Sequence, residues 1–284
     1  MIRRTSEAIS PTAHYTGYVW YAHGQSHDAF ATRAGRVMYH ALHGTNAIAH
    51  RVGWPSLEGM LLARHRLIDL RLAQAIDAGE IQQVLEIAAG LSPRGWRFAD
   101  RYADRITYVE ADLPGMLEHK RRILAELGGE SPHHRTAEID ALADTGPNSL
   151  AAVCATLDPL RGTAIITEGL INYFDRDTVL AMWRRFAAAL QPFPRSLYLS
   201  DVMLYDDNHG PLSTAFLWLL SAFVRGRVHF PFTTAEHTED ALEQAGMVGI
   251  ALDPRDFAFE LADLEPAGAA RVRIIEAVPR SIST

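Results

Sequence analysis

The chain has a single cysteine, Cys154, among its 284 residues. One thiol excludes an intrachain disulfide and any zinc site built on several thiolates. Cys154 sits in an Ala-rich apolar stretch and reads as a small buried filler. Long apolar runs are also missing. The nearest approach, 216–224, falls well short of the ~18–20 residues that a membrane-crossing helix needs. Arg3 and Arg4 are not followed by an apolar segment, so no secretory leader is expected. Together these features predict a cytoplasmic protein that does not enter a membrane. A basic excess is absent too: 27 Lys and Arg against 34 Asp and Glu give a formal net charge of −7 at pH 7. Nucleic-acid surfaces need a basic face, so nucleic acid is not an expected partner. Nor is there an internal repeat or a low-complexity linker.

What the chain does contain is the composition of a globular protein, 48% hydrophobic and 21% charged. From about residue 80, short apolar segments alternate with helical patterns, which predicts an α/β fold with a mostly parallel sheet. The expected strands are 83–88, 106–110, 134–139, 163–167, 196–200, 248–252 and 272–278. A helix is expected over 177–190, where Val179, Leu180, Trp183, Phe186, Ala187 and Leu190 share one face and Asp175 is the N-cap. Another is expected over 93–102, with proline in its first turn. The basic segment 117–127 reads as a solvated amphipathic helix. One domain over 1–284 is expected: a helical cap (1–79), a cofactor-binding core (80–201), a lid insertion (202–235) containing an apolar helix around 213–224, and closing strands (236–284). Segments before the sheet and after the fifth strand can cover the strands' carboxyl ends, where open α/β sheets bind ligands.

The thirteen histidines raise the question of a metal. His133 and His134 are adjacent, so on a strand they face opposite ways and cannot chelate one ion. His14, His23, His27, His40, His43 and His50 lack carboxylate-supported ligand spacing, so no metal is expected.

The strongest local signal is the segment 84–95, an apolar strand ending in Glu86, a small-residue turn, and the start of a helix. Glu110 follows Gly90 by twenty positions, on the next expected strand. That arrangement marks a nucleoside-containing cofactor whose ribose hydroxyls the acid receives. A dinucleotide site wants G-x-G-x-x-G to cradle pyrophosphate on the helix N-terminus. Here Ala88 and Leu91 stand where glycines would help, and only Gly90 remains in the core of the turn. S-adenosylmethionine has no phosphate to cradle, and an acid such as Glu86 at the end of the first strand is typical of methyltransferases. The pattern therefore favours S-adenosylmethionine over NAD(P).

Several segments, in order, resemble the leucine carboxyl methyltransferase family, within it the bacterial branch that includes the tetracenomycin polyketide methyltransferase. They are Leu62-Ala63-Arg64-His65-Arg66-Leu67-Ile68-Asp69, the turn from Glu86 to Arg94, Glu110-Ala111-Asp112-Leu113-Pro114 with Lys120 after it, Asp140-Ala141-Leu142, and Thr167-Glu168-Gly169-Leu170-Ile171-Asn172-Tyr173-Phe174. The resemblance implies a Rossmann-like class I methyltransferase with a seven-stranded sheet and helices on both faces. It implies that Arg64 holds the methionine carboxylate and Glu110 the ribose, with Ala111 beside it. Asp140 takes the adenine amino group, with Ala141 and Leu142 at the ring. Gly90 gives backbone approach, while Glu168 and Gly169 lie near the sulfonium and its amino group. Glu86 and Ala88 complete the expected cofactor contacts. Two positions depart from the family's G-x-G-x-D-x-R turn: Ala88 replaces a glycine and Ser92 an aspartate. The segment before residue 60 does not match the phosphatase-modifying members, so a protein-phosphatase substrate is not expected.

The expected reaction is methyl transfer to an oxygen, carboxylate or phenol, of a small and largely apolar molecule. A carboxylate acceptor needs no base, whereas a phenol or alcohol benefits from one. Tyr173, His209 and His229 are the catalytic candidates, and Tyr15, Tyr18, Tyr173, Tyr205 and Arg225 are the candidate substrate contacts. The alternatives are an NAD(P)-dependent oxidoreductase and a non-catalytic cofactor-binding protein of the same fold. Nothing in the sequence specifies an oligomeric state.

Overall fold

The computed structural model describes residues 11–51, 53–209 and 228–281. The helix expected at 213–224, with Arg225 and Arg227, lies outside the described residues.

Seven strands form one sheet in the order β3-β2-β1-β4-β5-β7-β6. They are β1 (Gln83–Ile87), β2 (Thr107–Asp112), β3 (His134–Glu138), β4 (Thr163–Thr167), β5 (Ser196–Val202), β6 (Met247–Leu252) and β7 (Arg273–Pro279). Strands β1 to β5 pair in parallel, and β7 lies antiparallel between β5 and β6. All seven expected strands are present. Two of them run further than their hydrophobicity announced: β2 continues to Asp112 and β5 to Val202. Each extension carries an acid, Asp112 or Asp201, to the carboxyl end of the sheet.

Alternation along the strands sorts side chains onto two faces. Val84, Tyr108, Ala164, Ile166, Leu199 and Ile274 pack with helices α1 (Pro11–Ala22), α3 (Leu57–Asp77) and α4 (Arg94–Tyr102). Leu85, Val109, Ile165, Tyr198 and Ile275 pack with α6 (Leu150–Cys154), α7 (Arg176–Leu190) and α8 (Ala235–Gln244). Asp175 caps α7 by accepting from the Thr178 N–H at 2.9 Å. Its apolar stripe, with Trp183 and Phe186 fully buried, lies on the second face. Helix α2 (Arg33–Arg51) packs on α1. Helix α3 starts at the N-cap Ser56, whose Oγ accepts from Gly59 N at 2.9 Å. Its Leu67, Ile68, Leu72 and Ile76 are buried in the first core. Each such side chain contributes about 1.5–3 kcal/mol relative to exposure, which fixes α3 against the sheet and presents Arg64, His65 and Asp69 to the strand ends. Cys154 is buried in α6, where loss of solvent pushes its thiol up to about 12.

Helix α5 (Pro114–Glu126) corrects one expectation. The helix is present and amphipathic, with Arg121 and Arg122 exposed, but Lys120 lies on its inward stripe with Leu117, Ile123 and Leu124. Lys120 is the only lysine of the chain and is fully buried.

Candidate active site

The strand order reverses between β1 and β4, and a crevice opens there at the carboxyl ends. After β1 the backbone turns through two left-handed residues, Ala88 (φ 56°) and Gly90 (φ 49°). Glycine reaches this region freely, while an L side chain is strained in it. Ala88 therefore occupies a glycine's conformation, at the position where the family has glycine. The turn is held from several sides. Ala89 N donates to Ala111 O at 3.2 Å, and Ser92 N to Ala89 O at 2.9 Å. Gly90 N donates to Asp112 Oδ2 at 2.8 Å. Beneath it, Lys120 Nζ donates to Ser92 O at 2.5 Å and Gly90 O at 3.3 Å.

A first cavity lies above this turn. It is lined by residues 88–92, Glu86, Asp112, Met116, Arg64, Glu168, Gly169, Leu170 and Tyr173, with Thr12, Thr16 and Trp20 from α1. Burial raises the Asp112 carboxyl from its ordinary value, against the pull of the Gly90 and Leu113 N–H groups.

Glu110, the expected ribose ligand, is not in this cavity. It is fully buried, paired with Lys120 and bonded to His134 Nε2 at 2.6 Å. A Cβ added at Gly95 on α4 would collide with its carboxylate. Burial alone would raise the Glu110 carboxyl, but Lys120 and His134 outweigh it and hold the group below its ordinary value. Position along the strand keeps Glu110 out of the cavity. Glu110 pairs with Glu86 in mid-sheet under α4, and only Asp112, two residues on, reaches the open end. The Ala111 side chain likewise points into the second core, and only its carbonyl serves the turn.

A second layer of buried charge supports the crevice. Arg94, fully buried at the start of α4, bonds to Asp69 Oδ1 at 2.5 Å, Glu86 Oε1 at 2.7 Å and Glu168 Oε2 at 2.6 Å. Glu86 accepts on its other oxygen from the Tyr108 hydroxyl at 2.8 Å. Glu86 thus borders the cavity with both oxygens already engaged, and burial raises its carboxyl. Glu168 also bonds to His65 Nδ1 at 2.9 Å and Arg64 Nε at 3.0 Å. Burial opposes its ionisation, yet His65, Arg94 and Arg64 hold its carboxyl well below the usual range. Arg64 reaches Asp201 Oδ2 at 3.2 Å, and Asp201 Oδ1 accepts from Gly169 N at 2.6 Å.

A second cavity adjoins the first and shares Thr12, Thr16, Arg64, Gly169 and Tyr173 with it. Its remaining lining is mostly apolar, Leu57, Met60, Leu61, Met203 and Val228, with Tyr15, Asn172 and Asp201. Of the candidate substrate contacts, Tyr15 and Tyr173 meet here. Tyr18 does not: it is buried against Tyr21 and Tyr39, with ring centroids 5.5 and 5.1 Å away. Tyr205 is 53% exposed and stacks on His209 at 5.7 Å, and neither lines either cavity. His229 is tied to Asn172 through its backbone, by N–H to Asn172 O at 2.8 Å and by its own carbonyl, which accepts from Asn172 Nδ2 at 2.7 Å. Its ring lines neither cavity. Asp140 and Ala141 lie on the loop after β3 and do not line the first cavity. That loop starts beside the site, since Ile139 N donates to Asp112 O at 3.0 Å. Among the described residues no group of three or more His, Cys, Asp or Glu is arranged to hold a metal ion, and no helix is long and apolar enough to cross a membrane.

The sequence reading missed Asp112, Asp201, Asn172, Met116 and the α1 residues Thr12, Thr16 and Trp20. The available signal was position: Asp112 stands immediately before Leu113-Pro114, where the strand must give way to a helix.

The family model for leucine carboxyl methyltransferase matches residues 21–187 of this chain. A provisionally named S-adenosyl-L-methionine-dependent methyltransferase of Mycobacterium tuberculosis (strain H37Rv) is 31% identical over 186 residues, covering 65% of this chain and 59% of that protein. A provisionally named one from Mycobacterium leprae is 34% identical over 147 residues, 51% of this chain and 46% of its own. The chain thus aligns with less than two thirds of these relatives' length. Among solved structures, a DUF574 family protein from Streptomyces avermitilis superposes with a TM-score of 0.61 at 17% identity, covering 95% of this chain and 97% of that one. A protein from Thermobifida fusca, provisionally described as a methyltransferase, gives 0.59 at 16% identity, covering 95% and 98%. These likenesses show a shared α/β Rossmann-like class I methyltransferase fold.

Proposed function

Because the chain belongs to the leucine carboxyl methyltransferase family, we propose that it transfers a methyl group from S-adenosylmethionine to an oxygen of a small, largely apolar molecule. The observation that carries this reading is Asp112. Its two carboxylate oxygens accept from Gly90 N and Leu113 N, and each keeps a lone pair for a ribose hydroxyl at the cavity wall. Asp112 takes the role first assigned to Glu110. Arg64 and Glu168, side by side on the same wall, suit a zwitterion: the guanidinium for the methionine carboxylate, the carboxylate for its amino group. The turn at 88–92 brings backbone close without a phosphate cradle, and Asp140 with Ala141 is retained for the adenine. When bound, S-adenosylmethionine would supply an electrophilic methyl on a sulfonium.

The chain's own contribution is placement. Tyr173, Gly169 and Arg64 border both cavities, so they form the wall across which the methyl acceptor meets the methyl group. Orientation of this kind can supply several powers of ten in rate. The apolar lining of the second cavity supports a hydrophobic acceptor, which also suits the bacterial polyketide-modifying branch. Calorimetric titration with S-adenosylmethionine and with NADP tests the reading: binding of the first and none of the second is expected, and no heat from S-adenosylmethionine at millimolar concentration would sink it.

A further inference from the structure

We infer that the acceptor is a hydroxyl, a phenol or alcohol rather than a carboxylate, and that Asp201 is the catalytic residue that takes its proton. The inference rests on the methyltransferase reading above and narrows its substrate class.

Among the described residues, the second cavity has few groups able to act on a proton. Its described lining offers Tyr15, Tyr173, Asn172, Thr12, Thr16, Arg64 and Asp201. Arginine has donors only, an amide and the threonine hydroxyls are not bases, and tyrosines are weak acids. Asp201 alone there carries a negative charge that can accept a proton. His209 and His229, the earlier candidates, line neither cavity. Glu168 faces the first cavity and is engaged by His65, Arg94 and Arg64.

Asp201 is also built for the task. It stands at the end of β5 and is 4% exposed. Gly169 N fixes Oδ1 at 2.6 Å and Arg64 holds Oδ2 at 3.2 Å, which leaves a lone pair on each oxygen. Asp201 lines the second cavity and not the first, so it lies on the acceptor's side of the shared wall. Burial raises its carboxyl above the ordinary value, closer to that of a phenol. The same carboxylate argues against an anionic acceptor. Arg64, the cation among the described lining residues, is already shared by Asp201 and Glu168, and a second carboxylate would meet Asp201 as a like charge.

The step balances. The hydroxyl proton passes to Asp201, and an oxygen lone pair forms the bond to the methyl carbon. The electrons of the breaking carbon–sulfur bond stay on sulfur, leaving a neutral thioether, and Asp201 then returns its proton to solvent.

The test compares wild type with Asp201→Asn, which keeps an oxygen for the Gly169 N–H. Protein loaded with S-adenosylhomocysteine is titrated with 2-naphthol and with 2-naphthoate. Wild type should bind the naphthol about tenfold more tightly, and Asp201→Asn should narrow that gap by relieving the naphthoate of a like charge. Turnover of 2-naphthol should fall about 100-fold in the variant. Turnover of 4-nitrophenol, largely ionised at about pH 8 and in little need of a base, should fall less than tenfold or rise, because the variant also relieves the phenolate of a like charge. Preferential binding or methylation of naphthoate by wild type, failure to methylate either phenol, or an equal loss on both phenols in Asp201→Asn overturns the inference. If the variant does not fold, the wild-type binding preference decides alone. Failure of wild type to bind S-adenosylhomocysteine would instead defeat the underlying methyltransferase reading.

Discussion

Glu110 and Asp112 stand two residues apart on β2 and point to the same side of the sheet, yet they belong to different regions of the molecule. Glu110 lies in the middle of the sheet, sealed beneath Gly95, paired with Lys120 and hydrogen-bonded to His134. Asp112 lies at the strand's end, where it anchors Gly90 and faces the cavity. One acid is enclosed in the scaffold and the other borders open space. Spacing therefore finds the strand, while its last two residues decide which acid reaches the open end of the sheet.

The largest expected effect breaks the scaffold side of this comparison. Glu110→Ala leaves the buried Lys120 without its counter-charge and His134 without its carboxylate partner, and removing one member of a buried pair costs about 3–5 kcal/mol. Urea denaturation should show that loss. Asp112→Ala should cost less, about 1.5–3 kcal/mol, because it frees the Gly90 and Leu113 N–H groups but leaves no buried cation without its carboxylate; a reversed order would return Glu110 to the ligand. Acidification adds a second signature. The Glu110 carboxyl is held below its ordinary value, so the stability it contributes is complete above about pH 4.3 and is lost as pH falls through its folded value. Glu110→Gln should remove that part of the acid sensitivity, which denaturation curves at stepped pH would reveal.

The ligand side is sharpened by calorimetry. Asp112→Ala should weaken S-adenosylhomocysteine by about 10- to 100-fold, the value of one or two hydrogen bonds to a charged acceptor. Arg64→Ala should also weaken it, by about tenfold, since the methionine carboxylate loses its guanidinium partner. Unchanged affinity in Asp112→Ala would mean that the carboxylate serves the turn alone. Unchanged affinity in Arg64→Ala would leave Arg64 as a strut between Glu168 and Asp201.

Much of this was legible beforehand, and the misses share a cause. Seven strands follow from apolar periodicity, because burial imposes that pattern, whereas Arg64 and Glu168, which line the cavity, follow from the family resemblance. Strand ends are not imposed in that way. Asp112 and Asp201 are polar, so apolar patterning stopped short of both, although the backbone continues in register with its neighbours. The inward turn of Lys120 is hidden for another reason: its partner, Glu110, lies on the preceding strand, and a basic run looks the same on a solvated face. The α1 contacts of Thr12, Thr16 and Trp20 depend on how that helix packs over the strand ends, which no local pattern encodes.

The smallest predicted effect concerns the turn that joins the two regions. Ala88 holds φ at 56° with a Cβ present, a conformation that costs an L residue about 1–2 kcal/mol. Glycine removes that strain but gains freedom in the unfolded chain, worth about 0.4–1 kcal/mol. The balance favours Ala88→Gly by roughly 0.5–1 kcal/mol. Its urea midpoint should therefore rise with an unchanged slope. Affinity for S-adenosylhomocysteine should stay within about twofold, because the Asp112–Gly90 and Lys120–Ser92 bonds fix the turn independently of the Ala88 side chain. A lowered midpoint would mean that the Ala88 methyl makes a packing contribution larger than its strain. A large affinity change would mean that this methyl shapes the cavity as much as the acids beneath and beside it.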